Sequence, residues 1–303
     1  MNELPPLKRE AETTFAMIDE YLKMGYKVWI FTDAYFEDGK VIADGEKMLE
    51  VNRKTGLYIS DDEVINLNDF DIVWLRKDPP VDLRYITNCQ ILSNLKLLKK
   101  PPVLLNDPAP PILYSEKSII LQFPKWTPKT IITTTPKQIN NFIDAINNRI
   151  VIKPLHLYNA HDIMVLDKYM EAPIVSMFKK YTHLMVQEYL GTYKQGLKKE
   201  KRIFLVDGKL FIAYERNYNG EIYSYHYGSH QKTTLTDNEK EMAKEVGKFC
   251  QANNLFFVVM DVLEEKLIEL NITSPGELVE IEQVYGKNLV KKIVELSIER
   301  SKS

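Results

Sequence analysis

Between Phe256 and Ile272 the sequence FFVVMDVLEEKLIELNI sets two apolar runs so close together that the chain has to turn back on itself. In Lys266 to Ile272, Ile268, Leu270 and Ile272 alternate with Glu269 and Asn271. A strand of that period carries one apolar face and presents a carboxylate and an amide, two residues apart, on the other. Asp261 ends the preceding run, and the short Glu264-Glu265 connection folds that run back as a neighbour, so two carboxylates and an amide converge. Oxygen donors without His or Cys suit Mg2+, which keeps waters and bridges to substrate phosphates. The same spacing also describes a solvated acidic strand face, and the local pattern leaves both readings open.

The rest of the chain supplies elements for this hairpin to pack against. Asp207-Gly208 joins Ile203 to Val206 with Leu210 to Tyr214, a two-residue turn in which Gly accepts the positive φ of a primed hairpin. An ideal register there points Arg202 and Arg216 to opposite faces, so a bulge or longer loop is needed for them to share a site. Thr236 and Glu239 form a capping box before Met242, Val246, Phe249 and Cys250, one face of an amphipathic helix, and a second such helix closes the chain around Lys287 to Ile298. From about Lys117 the short units, including Ile150 to Leu155 and Leu184 to Leu190, predict antiparallel structure. In the first third, Lys27 to Phe31, Asp71 to Leu75 and Pro102 to Leu105 end in polar loops and read as parallel strands, with a helix over Thr14 to Met24. The start, MNELPPLKREAE, leaves little room for a strand before that helix, so the sheet is expected to lack an edge. The fold class expected is α/β, becoming α+β towards the C-terminus.

A chain of 303 residues makes roughly two or three domain-sized units. Its 40 basic and 42 acidic residues are dispersed, so there is no basic stripe for nucleic acid. Cys89 and Cys250 are far apart and give no disulfide framework. The N-terminus has no signal-peptide core and no apolar run reaches the ~18 residues a membrane span needs, so the expectation is a cytoplasmic protein without a membrane partner.

FVVMDV, IELNITSP and ELVEIE together resemble the C-terminal signature of bacterial glutathione synthetase, an ATP-grasp family. Further segments agree in the same order: VWLRKDPPVD, VLLNDP followed by SEK, FPKWTPKTIIT, VIKPL, VQEYL and KEKRIFLVDGK. The resemblance implies an ATP-grasp fold preceded by a parallel α/β domain, divided as 1–116, 117–190 (lid) and 191–303 (catalytic and metal-binding). It implies a carboxylate-amine ligase that joins a γ-glutamylcysteine-like acid to a glycine-like amine through an acyl phosphate, with ATP and Mg2+, or Mn2+ in its place, in a homo-oligomer. On matching positions, Lys117 and Lys153 resemble the nucleotide lysines, and Gln187, Glu188, Tyr189 and Leu190 the strand beside the adenine. Arg202 and Arg216 resemble phosphate or substrate arginines with a catalytic role. Asp261, Glu269 and Asn271 resemble the metal ligands, and Arg76, Lys77 and Asp78 substrate-side loop residues. Clustered cations and Mg2+ would offset charge developing on a transferring phosphoryl group.

Two stretches depart from the family. The phosphate-covering loop is glycine-rich there, because glycine allows close backbone approach. Here it reads His156, Leu157, Tyr158, Asn159, Ala160, His161, Asp162, and Asp162 would repel phosphate unless screened. His156 and His161 alone make no zinc signature. After Glu221, an arginine-containing and glycine-rich run is replaced by IYSYHYGSHQK, in which Tyr223, Tyr225, His226 and Tyr227 give an aromatic surface. Two alternatives therefore stand beside the synthetase reading: a ligase with another acid and amine pair, and a degenerate ATP-grasp protein that binds nucleotide or peptide without turnover.

Overall fold

The computed structural model describes residues 2–3, 13–53, 57–157, 162–191, 197–219 and 229–302. Four sheets organise the described residues. The first is antiparallel, in the order β1-β4-β3-β2, from β1 (Asn2–Glu3), β2 (Val28–Glu37), β3 (Lys40–Asn52) and β4 (Leu57–Asn66). Next comes a parallel pair, β5 (Ile72–Trp74) and β6 (Val103–Leu105), in which Ile72 lies opposite Val103 and Trp74 opposite Leu105. A third sheet, β7-β10-β8-β9, contains β7 (Thr130–Thr133), β8 (Ile150–Pro154), β9 (Met164–Leu166) and β10 (Leu184–Glu188). The fourth has the order β13-β12-β11-β14-β15, from β11 (Leu197–Val206), β12 (Lys209–Asn219), β13 (Ser229–Lys232), β14 (Phe257–Leu263) and β15 (Lys266–Asn271).

The helices are α1 (Thr13–Lys23), α2 (Leu83–Ser93), α3 (Ala109–Leu113), α4 (Pro136–Ile146), α5 (Glu171–Lys180), α6 (Asp237–Ala252), α7 (Leu278–Tyr285) and α8 (Leu289–Ser301). None among the described residues is long and apolar enough to cross a membrane.

The last sheet is covered on both faces, which is why β14 is apolar at six of its seven positions and buried at all seven. Ile203, Leu205, Val258, Met260 and Val262 pack on Met242, Val246 and Cys250 of α6. Phe204, Val206, Phe257 and Val259, one residue out of phase, pack on α1, α7 and α8 through Met17, Leu278, Ile281 and Ile293. Full burial of each such side chain contributes roughly 1.5–3 kcal/mol. The Thr236/Glu239 capping box is present at the start of α6. Asp207 and Gly208 both have positive φ, 50° and 70°, as a primed turn requires. A Cβ added at Gly247 of α6 would meet Gly208 O at 2.1 Å, so glycine is what lets this helix lie against the turn.

Three expectations need correction. The Lys27 to Phe31 run does not join the parallel pair; it begins β2, which lies antiparallel to β3 with Val28 opposite Met48. The reason is the hairpin at Asp38-Gly39, both at positive φ, after which the polar strands β3 and β4 continue the meander. A strand does precede the first helix, though only as Asn2–Glu3, paired with Leu57 and Tyr58 of β4. In β15 the alternation breaks: the register shifts between Asp261 and Val262, Glu269 lies opposite Asp261 and Leu267 opposite Val262, so Ile268 has no partner and is only half-buried.

Candidate active site

Strand register gathers the polar residues on one face of the fourth sheet. Glu200 lies opposite Arg216, Arg202 opposite Asp261, Asp261 opposite Glu269 and Val259 opposite Asn271. Arg202 and Arg216 share this face because β12 is bulged at Phe211: Phe204 pairs with Ile212 but Leu205 with Leu210. One inserted residue reverses the facing of everything beyond it.

The arginines are buried and paired with carboxylates. Arg202 Nε lies 3.0 Å from Asp261 Oδ1 and its Nη1 3.1 Å from Glu277 Oε2. Arg216 Nη1 lies 3.2 Å from Glu277 Oε1, and its Nη2 contacts Glu200 and, at 3.5 Å, Asp261 Oδ2. Burial opposes the charge on Arg202, but Asp261 and Glu277 outweigh it and hold the guanidinium charged.

Facing this cluster are side chains from the segment before β7 and from the third sheet. Lys117 Nζ lies 3.0 Å from Glu269 Oε1 and also donates to Leu157 O. Lys153, on β8, donates to Gln187 Oε1 of β10 at 2.7 Å, and Gln187 Nε2 donates to Thr130 Oγ1 at 3.0 Å. Lys153 has an amide rather than a carboxylate for a hydrogen-bond partner. Burial, with Lys117 adding to it and Glu269 opposing, brings its pKa down to about 8. Glu116 accepts from Ile272 N, Thr273 N and Thr273 Oγ1, which ties the lysine segment to the end of β15; burial and Glu269 raise its pKa.

A divalent cation fits the donor set. Among the described residues no three His, Cys, Asp or Glu side chains group as a metal site; the set is two carboxylates and an amide. Asn271 Nδ2 is directed to Asp261 Oδ2 and Val259 O, both at 3.2 Å, which leaves its oxygen as the donor for a cation. Asp261 Oδ1 is buried and receives no aligned hydrogen bond, although Arg202 is at ion-pair distance.

The structure thus brings Lys117, Arg202, Arg216, Asp261, Glu269 and Asn271 together, with Lys153 and Gln187 adjoining. Glu188 ends β10, Tyr189 and Leu190 follow it, and they make other contacts: Glu188 Oε1 accepts from Lys129 N, and Arg149 stacks 4.6 Å over the Tyr189 ring. Leu190 is half-buried. In the sequence-flagged loops, Asp162 accepts from Lys180 and Tyr181, the screening its charge needs. Tyr158 to His161 and Tyr223 to Tyr227 lie outside the described residues. Arg76 donates to Pro275 O and Thr14 Oγ1, Lys77 pairs with Asp33 and Asp78 accepts from Ser274, so this loop is anchored to the chain after β15. Sequence reasoning missed Glu200, Glu116 and Glu277. Glu200 could have been found two residues before Arg202 on one strand face; Glu277, in SPGE, gave no signal.

Two family models match: prokaryotic glutathione synthetase, N-terminal domain, over residues 1–110, and prokaryotic glutathione synthetase, ATP-grasp domain, over residues 116–286. The glutathione synthetase of Gloeobacter violaceus is 30% identical over 323 residues, covering 99% of this chain and 95% of that protein. That of Anaplasma centrale is 29% identical over 287 residues, covering 92% and 89%. Among solved structures, the ATP-grasp ligase PsnB complexed with precursor peptide PsnA2 and AMPPNP superposes with a TM-score of 0.62 at 12% identity, covering 96% and 95%. D-alanine–D-alanine ligase from Bacillus anthracis complexed with ATP gives 0.54 at 18% identity, covering 77% and 81%. The fold is therefore that of the ATP-grasp ligases, and the chain belongs to the prokaryotic glutathione synthetase family, ATP-dependent ligases that form a C–N bond.

Proposed function

We propose that this ligase joins a γ-glutamylcysteine-like acid to a glycine-like amine, with ATP and Mg2+, in the cytoplasm and as a homo-oligomer, the chain dividing functionally at 116 and 190. The observation that carries the reading is the convergence of Asp261, Glu269 and Asn271 opposite Lys117 and Lys153. Lys153 is a buried ammonium hydrogen-bonded to an amide, an arrangement suited to an added anion such as phosphate. Lys117 and Lys153 would hold the nucleotide phosphates, and Gln187 to Leu190 would border the base. Asp261, Glu269 and Asn271 would hold Mg2+ (or Mn2+), which supplies charge compensation for the phosphoryl group. Arg202 and Arg216, fixed by carboxylates, would add fixed positive potential rather than mobile anion-binding arms. The acid's carboxylate would be activated as an acyl phosphate and the amine would displace phosphate from it.

A second reading, a ligase for another acid and amine pair, is favoured by the arginine-free stretch Ile222 to Lys232. Purified protein given ATP, Mg2+ and panels of dipeptides and amino acids, with products weighed by mass spectrometry, separates the two. Glutathione from γ-glutamylcysteine and glycine supports the first reading. A different amide product supports the second. Bound nucleotide without any product would mean a binding protein without turnover and would overturn both.

A further inference from the structure

Glu277 lies beyond the sheet, at the N-cap of α7, with φ 71° and ψ 13°. Non-glycine residues keep this left-handed conformation where the surroundings hold them in it. Here its carboxylate spans two buried guanidiniums and is itself partly buried, Oε2 at 3.1 Å from Arg202 Nη1 and Oε1 at 3.2 Å from Arg216 Nη1. Both arginines also reach Asp261, at 3.0 and 3.5 Å. Arg216 has Glu200 as a further partner. Two guanidiniums therefore face three carboxyl groups, Glu200, Asp261 and Glu277, and burial raises the pKa of Glu200.

We propose that Glu277 is a positioning residue: by sharing Arg202 and Arg216 with Asp261, it keeps Asp261 available to a divalent cation. This rests on the Mg2+ reading of Asp261, Glu269 and Asn271. Without the Glu277 charge, two guanidiniums would face two carboxyl groups. Asp261 would then become the principal counter-ion of Arg202.

The test is calorimetric and needs no turnover. ADP affinity of the full chain is measured with Mg2+ and with EDTA, and the ratio reports the cation's share of binding. Glu277→Gln is expected to lower that ratio about tenfold, the usual scale for a group supporting a metal ligand, with ADP affinity in EDTA nearly unchanged. Glu277→Asp, which keeps the charge, is expected to retain most of the ratio. The double variant Glu277→Gln/Arg216→Gln removes one of the two guanidiniums that compete for Asp261 and is expected to recover the ratio; it also keeps the question answerable should the single variant not fold. A ratio unchanged in Glu277→Gln, or ADP affinity lowered equally with and without Mg2+, overturns the proposal. Asp261→Asn separates the two levels: if it leaves the ratio unchanged, the Mg2+ reading itself fails, and the role of Glu277 falls with it.

Discussion

Lys153 Nζ donates to Gln187 Oε1 at 2.7 Å, so a buried ammonium is met by a neutral amide. Because burial brings this lysine down to about 8, its charge is lost in a pH range where an ordinary lysine stays protonated. Nucleotide affinity should therefore fall between pH 7 and pH 9. Lys153→Met should weaken binding by roughly tenfold or more at pH 7 and flatten the pH dependence. Titration with a fluorescent ATP analogue at both pH values checks this; an affinity independent of pH in the unsubstituted protein would contradict it.

The same group makes a prediction about stability. Its folded pKa lies below its unfolded value, so between about 8 and 10.5 the unfolded chain binds more protons and stability rises with pH. Below that window the burial cost is fully present. At pH 7, Lys153→Met should stabilise the nucleotide-free protein by on the order of 2–3 kcal/mol, measured by urea denaturation. A destabilised variant would show that the ammonium is better accommodated than its surroundings indicate.

Phe211 is the inserted residue that puts Arg216 on the face of Arg202. Inserting one alanine between Ile212 and Ala213 should shift the register by one more residue, send Arg216 and Tyr214 to the opposite face and break the contacts with Glu200 and Glu277. Ligase activity should fall ~100-fold or more, with a lower melting temperature. Activity kept within threefold would mean that the arginine pair is not needed on this face.

Gly247 tests the packing away from the site. Gly247→Ala places a Cβ against Gly208 O and should destabilise by roughly 1–3 kcal/mol in thermal melts, while the folded enzyme keeps its kcat. A neutral substitution would mean that α6 can move off the turn at little cost.

These cases also mark what could be read from residues alone. The Asp207-Gly208 turn, the Thr236/Glu239 cap and the Asp261 hairpin were legible because each depends on a few adjacent residues with one conformational preference. The Asp38-Gly39 turn carries the same signal as Asp207-Gly208, but the strands around it are rich in Asp and Glu and their apolar period is faint. The bulges at Phe211 and Ile268 leave no local mark, since they are set by which side chains the two faces of the sheet can bury. Arg202 and Arg216 were legible as functional candidates, yet two of their carboxylate partners, Glu200 and Glu277, were not. Glu277 reaches them only because the chain doubles back into α7 through a left-handed residue.

Mg2+-dependent ADP release, with ATP, γ-glutamylcysteine and glycine supplied and the product weighed by mass spectrometry, tests the central claim most directly when Asp261→Ala is run beside the unsubstituted chain. Glutathione formed at a rate that the substitution lowers at least ~100-fold is the expected result. ADP release at the level of the no-enzyme control, in protein shown to bind ATP, would contradict it.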